Sequence, residues 1–381
     1  MKIPQIAIFI TIVLSIYFLV NSFIYVQTKP VFSIATFGIW LKVAFWLLVL
    51  SYPLGRVLEG IFDGNIFSIL VKIGSIWLGA MLYLFIIFLI LLIVRFSNNL
   101  FNYSEYLDFK SHLNYKQIAV FVVYTITTLV LIAGHINAIN PKVSKVNIKT
   151  NKISDDNGLR IVAVSDIHLG TIIGKKRLSK LVNLINEQKP DIVLLAGDIF
   201  DEDIAPVVNG GMGKLFEDIN SKYGIYAVTG NHEYFGNFEA KIAYLKQHKV
   251  NVLRDSSALI DNFYVIGRDD RQSNAALKRN RKTIEELVNG LDKSKFMILL
   301  DHQPYHLNEA QENGIDLQLS GHTHDGQMWP FNYATQGIFE VSKGYLKKGN
   351  THYYVSTGFG TWGPRVRIGN RPEIVVIDLN H

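Results

Sequence analysis

Four apolar runs in the first 140 residues bound what this chain can fold into. Ile6 to Val26 has no charged residue. Val31 to Tyr52 is broken only by Lys42, Ile73 to Val94 is the clearest run, and Ile118 to Ile136 is the shortest. A helix needs about 20 apolar residues to cross a hydrocarbon layer roughly 30 Å thick. Such runs can also form buried core helices, but this many in succession with so few charges argues for a membrane. The first run is too long for the apolar part of a signal peptide and lacks a small-x-small cleavage site, so it reads as a retained helix. The expectation is a membrane domain over 1–140 with about four helices (approximately 6–26, 31–52, 73–94 and 118–136). A linker over 141–157 and a folded domain over 158–381 follow.

Orientation rests on the Lys and Arg of short loops. With four spans, one side holds Lys2, Arg56, Lys142, Lys145, Lys149 and Lys152, and the other holds Lys29, Arg95, Lys110 and Lys116. The bias places the amino terminus and the folded domain in the cytoplasm. The chain is thus expected to be a multi-pass integral membrane protein. Lys42 near the centre of a span would cost about 2.5 to 3.5 kcal/mol; it either snorkels or marks a polar patch between helices.

The 381 residues carry a formal net charge of +6 and no cysteine. The charge suits a membrane surface or an anionic substrate, though solubility alone also accounts for it. Without cysteine there is neither a disulfide framework nor a thiolate metal site, so any metal must be held by His, Asp, Glu or Asn. The basic residues have no interleaved stacking aromatics, so nucleic acid is not an expected partner.

From about Asn147 the texture changes. "RIVAVS" at 160–165, "DIVLLAGD", "GIYAVTG" and "FMILLDH" read as buried strands. Lys176 to Glu187 has helical spacing at Leu178, Leu181, Val182 and Ile185, and helix-like stretches recur near Lys214 to Ile219 and Glu239 to His248. "LIDNFYVIG" reads as a hairpin turning at Asp261-Asn262. Strands interleaved with helices give an α/β fold. Arg268 to Lys282, polar and basic, reads as a mobile loop.

Nearly every strand runs into metal-competent residues. Asp166 and His168 follow the first, Asp198 and Asp201 the second, and Asn231, His232 and Glu233 the third. His302 follows the fourth, and His322 and His324 the last, just ahead of Asp325. Open α/β sheets place ligands beyond the carboxyl ends of their strands, so the five groups could meet at one edge. In extended backbone, residues i and i+2 share a face, so Asp166 with His168, and His322 with His324, could each present two ligands together. Imidazole and carboxylate suit Mn, Fe or Zn. Even seven of these groups exceed the complement of one ion and fit two, the arrangement that clamps both oxygens of a phosphoryl displacement. The glycines beside Asp198, Asn231 and His322 fit tight turns.

"DIH", "GDIFD", "GNHE", "HQP" and "GHTH", in that order, resemble the signature of the calcineurin-like metallophosphoesterases. With the membrane runs, "GHTHDGQ" and the tail "STGFGTWGPRVRIGNRPEIVVIDL" are similar to the branch called transmembrane proteins with a metallophosphoesterase domain, over about Arg160 to Leu379. The resemblance implies an α/β fold, a four-layer αββα sandwich with two divalent metal ions at one end. It implies that Asp166, His168 and His324 hold one metal, that Asn231, His302 and His322 hold the other, and that Asp198 bridges both. It gives His232 a catalytic role without metal ligation, stabilising phosphoryl charge or protonating the leaving oxygen. Asp201 and Glu233 would orient ligands, although either could equally be solvated. Asp325 stands where the branch often carries Gly; it could bond a ligand imidazole, repel a phosphate or reach a substrate hydroxyl. Lys175, Lys176, Arg177, Arg365, Arg367 and Arg371 are candidate anion-binding groups or plain surface charges.

The expected activity is hydrolysis of a phosphodiester or pyrophosphate bond by a membrane-anchored enzyme with a phosphate-containing substrate. By analogy with relatives in the fold, that substrate could be a lipid-linked nucleotide such as UDP-2,3-diacylglucosamine in lipid A synthesis. Other phosphodiester or phosphomonoester substrates, or a non-catalytic metal-binding scaffold, are the alternatives.

Overall fold

The computed structural model describes residues 3–33, 37–62, 65–103, 113–153 and 158–381. Lys2 and Lys110 of the charge comparison, and 154–157 of the expected linker, lie outside the described residues. The chain divides into two compact units, one of residues 1–135 with 363–365, the other of 136–362 with 366–381.

The first unit is built on α1 (Ile3–Phe32), α2 (Gly38–Glu59), α3 (Asn65–Phe101) and α4 (Leu113–Ile139). Each contains a stretch long and apolar enough to cross a membrane. The second helix begins at Gly38 rather than Val31, because α1 continues through Pro30 to Phe32. That shift moves Lys42 from mid-span to the second turn of α2, where an exposed lysine stem can carry its ammonium to the interface. Asn21 is fully buried in this unit and accepts from Trp77 Nε1 at 2.9 Å while donating to the Tyr17 carbonyl at 2.8 Å. Polar atoms cut off from water need such partners.

The second unit holds twelve strands among the described residues: β1 (Lys142–Lys149), β2 (Leu159–Val164), β3 (Ile192–Ala196), β4 (Ile225–Val228), β5 (Val250–Val252), β6 (Ser256–Ile260), β7 (Phe263–Gly267), β8 (Phe296–Leu300), β9 (Leu317–Ser320), β10 (Gly344–Lys348), β11 (Thr351–Val355) and β12 (Glu373–Asn380). Between them run α5 (Lys175–Glu187), α6 (Ala205–Asn209), α7 (Lys214–Glu217), α8 (Phe238–Gln247), α9 (Gln272–Leu277), α10 (Ile284–Val288), α11 (Asn308–Glu312) and α12 (Phe331–Ile338). One sheet has the order β1-β12-β2-β3-β4-β5 and the other β10-β11-β9-β8-β7-β6. The expected hairpin is present, β6 and β7 pairing antiparallel with Ile260 opposite Phe263.

Period-two alternation explains the layers. In β2 and β3, Ile161, Ala163, Ile192 and Leu194 face a core shared with Phe296, Ile298, Leu317 and Leu319 of the other sheet. Their neighbours Val162, Val164, Val193 and Leu195 pack outward against Leu178, Leu181 and Ile185 of α5. On the far side, Met297 and Leu299 of β8 pack against Ile284 and Leu287 of α10 and Ala310 of α11. Strands buried on both faces need apolar residues at every position, which is why they read as continuous runs. The result is helix, sheet, sheet, helix.

Two expectations are corrected. Residues 142–149 are not a linker: β1 pairs in parallel along all of β12, and Ile148 is buried in the core between the sheets. Arg268 to Lys282 is not a loose loop. Arg268 is buried and donates to Asp301 (3.2 Å) and Glu309 (2.8 Å), Arg281 donates to Asp301 (2.9 Å), and α9 lies within the segment. Arginine forks that find carboxylates order a basic stretch that composition alone marks as solvated.

Candidate metal centre

Five loops converge just past five strand ends. Asp166 follows β2 by two residues, Asp198 follows β3, His302 follows β8 and His322 follows β9 by the same interval, and Asn231 follows β4 by three. Hydrogen bonds extend the sheet into these loops, Asp166 N to Gly197 O and His168 N to Asp198 O, both at 3.0 Å. The loops thereby inherit their spacing from the strands.

The backbone itself differs from the extended form expected. Asp166, His168, Asp198, His322 and His324 all have positive φ, between 47° and 70°. Side chains other than glycine adopt this left-handed region at a cost and cluster there at functional sites. The i, i+2 pairs therefore converge because the chain coils after the strand ends, not because it stays extended. Room for that coiling comes from glycine. A Cβ on Gly230 would sit 2.1 Å from Asp198 Oδ1, and one on Gly321 would sit 2.2 Å from Asp166 Oδ2.

Three groups of candidate ligand atoms lie within 4.8 Å of one another: Asp166, His168 and His324; His168, Asp198 and His232; and Asp198, His302 and His322. Asp198 belongs to two of them. His168 Nε2 lies 3.0 Å from His324 Nε2, and His322 Nδ1 lies 2.9 Å from Asn231 Oδ1. His302 Nδ1 donates to the Ala196 carbonyl (2.8 Å), while its buried Nε2 has no hydrogen-bond partner and lies 3.2 Å from Asp198 Oδ2. A carbonyl only accepts, so Nδ1 carries the proton and Nε2 needs another occupant.

Electrostatics sort these groups. Burial pushes His168 down to about 4 and His322 down to about 3. Burial, then the charge of Arg367, holds His324 well below the usual imidazole range. These rings are neutral at pH 7 with lone pairs available. Burial pushes Asp166 up to about 6. Burial would raise Asp198 too, but the charge of His302 outweighs it and holds Asp198 well below the carboxylate range, while against burial Asp198 lifts His302 well above its own. A buried cation is what such a set lacks, and imidazoles facing imidazole or amide oxygen across 3 Å fit a divalent ion.

The surrounding residues hold these loops. Glu233 is fully buried and its carboxylate accepts four backbone N–H groups, from Asp198 (3.0 Å), Ile199 (2.9 Å), Phe200 (3.0 Å) and Gly230 (2.6 Å). It is no solvated charge; it ties the β3 loop to the β4 loop. The Asp201 carbonyl accepts from His232 Nδ1 at 2.9 Å, and its carboxylate lies 3.7 Å from His168 Nδ1. The His232 amide in turn donates to Asp198 Oδ1 at 2.9 Å. Asp325 is buried, but it reaches Ser342 Oγ (3.2 Å) and Lys343 Nζ (2.7 Å), not a ligand imidazole.

Two candidate anion binders turn out to be internal. Arg367 is fully buried, donating to His324 Nδ1 at 3.0 Å and to the Gly360 carbonyl at 2.7 Å. Arg177 is buried and donates to the carbonyls of Ile139 (2.8 Å), Ala138 (2.9 Å) and Phe359 (3.0 Å). The sequence offers no signal that separates either arginine from its basic neighbours, Lys175 and Lys176 beside Arg177 and Arg365 and Arg371 beside Arg367.

A family model described as calcineurin-like phosphoesterase matches residues 159–326. An uncharacterized metallophosphoesterase of Aquifex aeolicus is 31% identical over 249 residues, 65% of this chain and 94% of that protein. The transmembrane protein with metallophosphoesterase domain of Danio rerio is 32% identical over 274 residues, 67% of this chain and 61% of that protein, and its Bos taurus counterpart is 31% identical over 277 residues with the same coverage. This chain thus spans less than two thirds of those two longer relatives. Matched over nearly the whole Aquifex protein, with the five loops gathered as described, the chain belongs to the calcineurin-like metallophosphoesterases, hydrolases of phosphoesters that need divalent metal ions.

Proposed function

We propose that this protein is a membrane-anchored, two-metal phosphoesterase that cleaves a phosphodiester or pyrophosphate bond at the edge where the five loops meet. The observation that carries this reading is that Asp198 belongs to one group of candidate ligand atoms with His168 and to another with His302 and His322. Asp166, His168 and His324 would hold one ion, Asn231, His302 and His322 the other, with Asp198 between. Mn, Fe and Zn all suit the donor set. Bound there, divalent ions supply Lewis acidity that neutralises phosphoryl charge and makes water acidic enough to act at neutral pH. The chain's own residues do the rest. Asp201 and Glu233 fix the ligand loops. His232, held through its Nδ1 proton by the Asp201 carbonyl, directs Nε2 to the site, where it stabilises phosphoryl charge or gives a proton to the leaving oxygen.

Four apolar helices favour a substrate in or at the bilayer. A lipid-linked nucleotide such as UDP-2,3-diacylglucosamine would reconcile anchor and chemistry, with the catalytic unit on the cytoplasmic side as the Lys and Arg bias suggests. The test compares Mn-dependent turnover of that UDP-lipid with turnover of bis-p-nitrophenyl phosphate by full-length protein. Turnover of both supports the full reading. Turnover of the soluble diester alone removes the lipid assignment, and turnover of neither removes the enzyme.

A further inference from the structure

The second unit contains a cationic cavity of about 400 Å³ at the foot of α4, behind the loop that carries His324. Asn137, Lys142, Lys343, Thr357, Asn370 and Arg371 line it. Asn137 lies in the last turn of a helix apolar enough to span a membrane, and Lys142 follows that helix by three residues. At 1.5 Å per helical residue and about 3.4 Å per extended one, both are within about 10 Å of the end of the span.

The charges are arranged to receive an anion. Lys142 lies 3.3 Å from Glu373, but Glu373 is already satisfied by Ser144 Oγ (2.5 Å), the Thr357 amide (2.9 Å) and Tyr354 OH (3.1 Å). Lys343 is matched by Asp325, which leaves Arg371 as the excess positive charge. The carbonyls that end α4 are each taken by a cation, and Arg371 gives only its Nε to them. The Ala138 carbonyl takes Arg177, the Ile139 carbonyl takes both Arg177 and Lys180 (2.9 Å), and the Asn140 carbonyl takes Arg371 Nε (2.7 Å). Asn137 Nδ2 donates to the carbonyls of Arg367 (3.0 Å) and Asn370 (2.6 Å), so the asparagines shape the wall and the cations are what the cavity offers an anion. Basic pockets at the end of a membrane span are suited to anionic headgroups.

We propose that this cavity binds the headgroup phosphate of an anionic phospholipid. The site also touches the metal-centre turn. Lys343 holds the carboxylate of Asp325, and Asn370 Nδ2 donates to the carbonyls of His324 (2.9 Å) and Asp325 (3.0 Å). Lipid seated there would lie against the residues that hold the His324–Asp325 turn.

The test uses metal-loaded, full-length protein in mild detergent and native mass spectrometry with dioctanoyl phosphatidylglycerol, dioctanoyl phosphatidylcholine and inorganic phosphate. Wild type is expected to bind the glycerol lipid about tenfold more tightly than the choline lipid. The K142Q/R371Q variant loses that preference while its turnover of bis-p-nitrophenyl phosphate stays at the wild-type level, which shows that it folds. R371K keeps the preference, and if the double variant does not fold, K142Q alone is read the same way. Equal binding of the two lipids, or an undiminished preference in the folded variants, overturns the proposal. Displacement of the lipid by inorganic phosphate at equal concentration overturns the lipid assignment and leaves a phosphate site. None of these readouts depends on the natural substrate.

Discussion

His232 is the residue whose chemistry is most separable from metal binding. Its ring packs edge-on against His168 at 4.6 Å and against Phe235 at 5.0 Å, and Asp201 fixes its Nδ1 proton. His232→Ala is expected to retain metal while turnover falls at least about tenfold, within the range of general acid and electrostatic contributions. Metal content by mass spectrometry and kcat on the same preparation check this; unchanged turnover would remove His232 from the reaction. The candidate ligands were legible because each polar cluster interrupts an apolar strand, and no core tolerates that without a reason. Arg367 was not, and the orienting role of Glu233 was legible only through the family resemblance. Four backbone donors from two loops fill the Glu233 carboxylate, and Arg367 meets His324 across 43 positions of sequence. Such partners are fixed by tertiary folding, which local pattern does not encode.

Among elements, β1 shows what local pattern misreads. "KVSKVNIK" carries three lysines and looks like a charged connector, yet it is the edge strand of its sheet. Lysines on an edge strand keep other chains from pairing with it, so the composition that suggests a linker is the composition an edge requires. Ile148 decides between the two. At 1% exposure inside the sandwich core, Ile148→Ala is expected to cost about 2 to 5 kcal/mol. A linker residue would cost almost nothing. Chemical or thermal unfolding of the full-length protein, followed by a fluorescence signal from the second unit, measures it; a loss under about 0.5 kcal/mol would return these residues to a tether. The central strands were legible for the opposite reason, since β3 and β8 are buried at all five positions and leave no polar residue to confuse the period.

For the molecule as a whole, loading with metal is an exchange of cations for protons. In the metal-free protein His302 keeps a proton well above the usual imidazole range because Asp198 holds it, and Asp166 keeps one below about pH 6 because burial raises it. The ion held by His302 must displace its proton across the neutral range, and the ion held by Asp166 must displace one only below about pH 6, so both affinities fall as pH falls. His168 and His322, pushed down to about 4 and about 3, carry no proton there and add nothing. Log affinity is expected to change by about one unit per pH unit at the His302 site near neutrality, and at the Asp166 site only below about pH 6. Competition against a metal indicator dye measures both slopes, and an affinity flat between about pH 5 and 7.5 would contradict the assignment. The order of the sheet has a different consequence, one of time. β12 lies between β1 and β2, so neither can complete its pairing until residues 373–380 exist. At roughly 5 to 20 residues per second, the ribosome takes about ten to fifty seconds to travel from β1 to β12. Throughout that interval the newborn strand β1, just released past the last membrane helix, waits unpaired, and translation rather than diffusion times the closing of the fold.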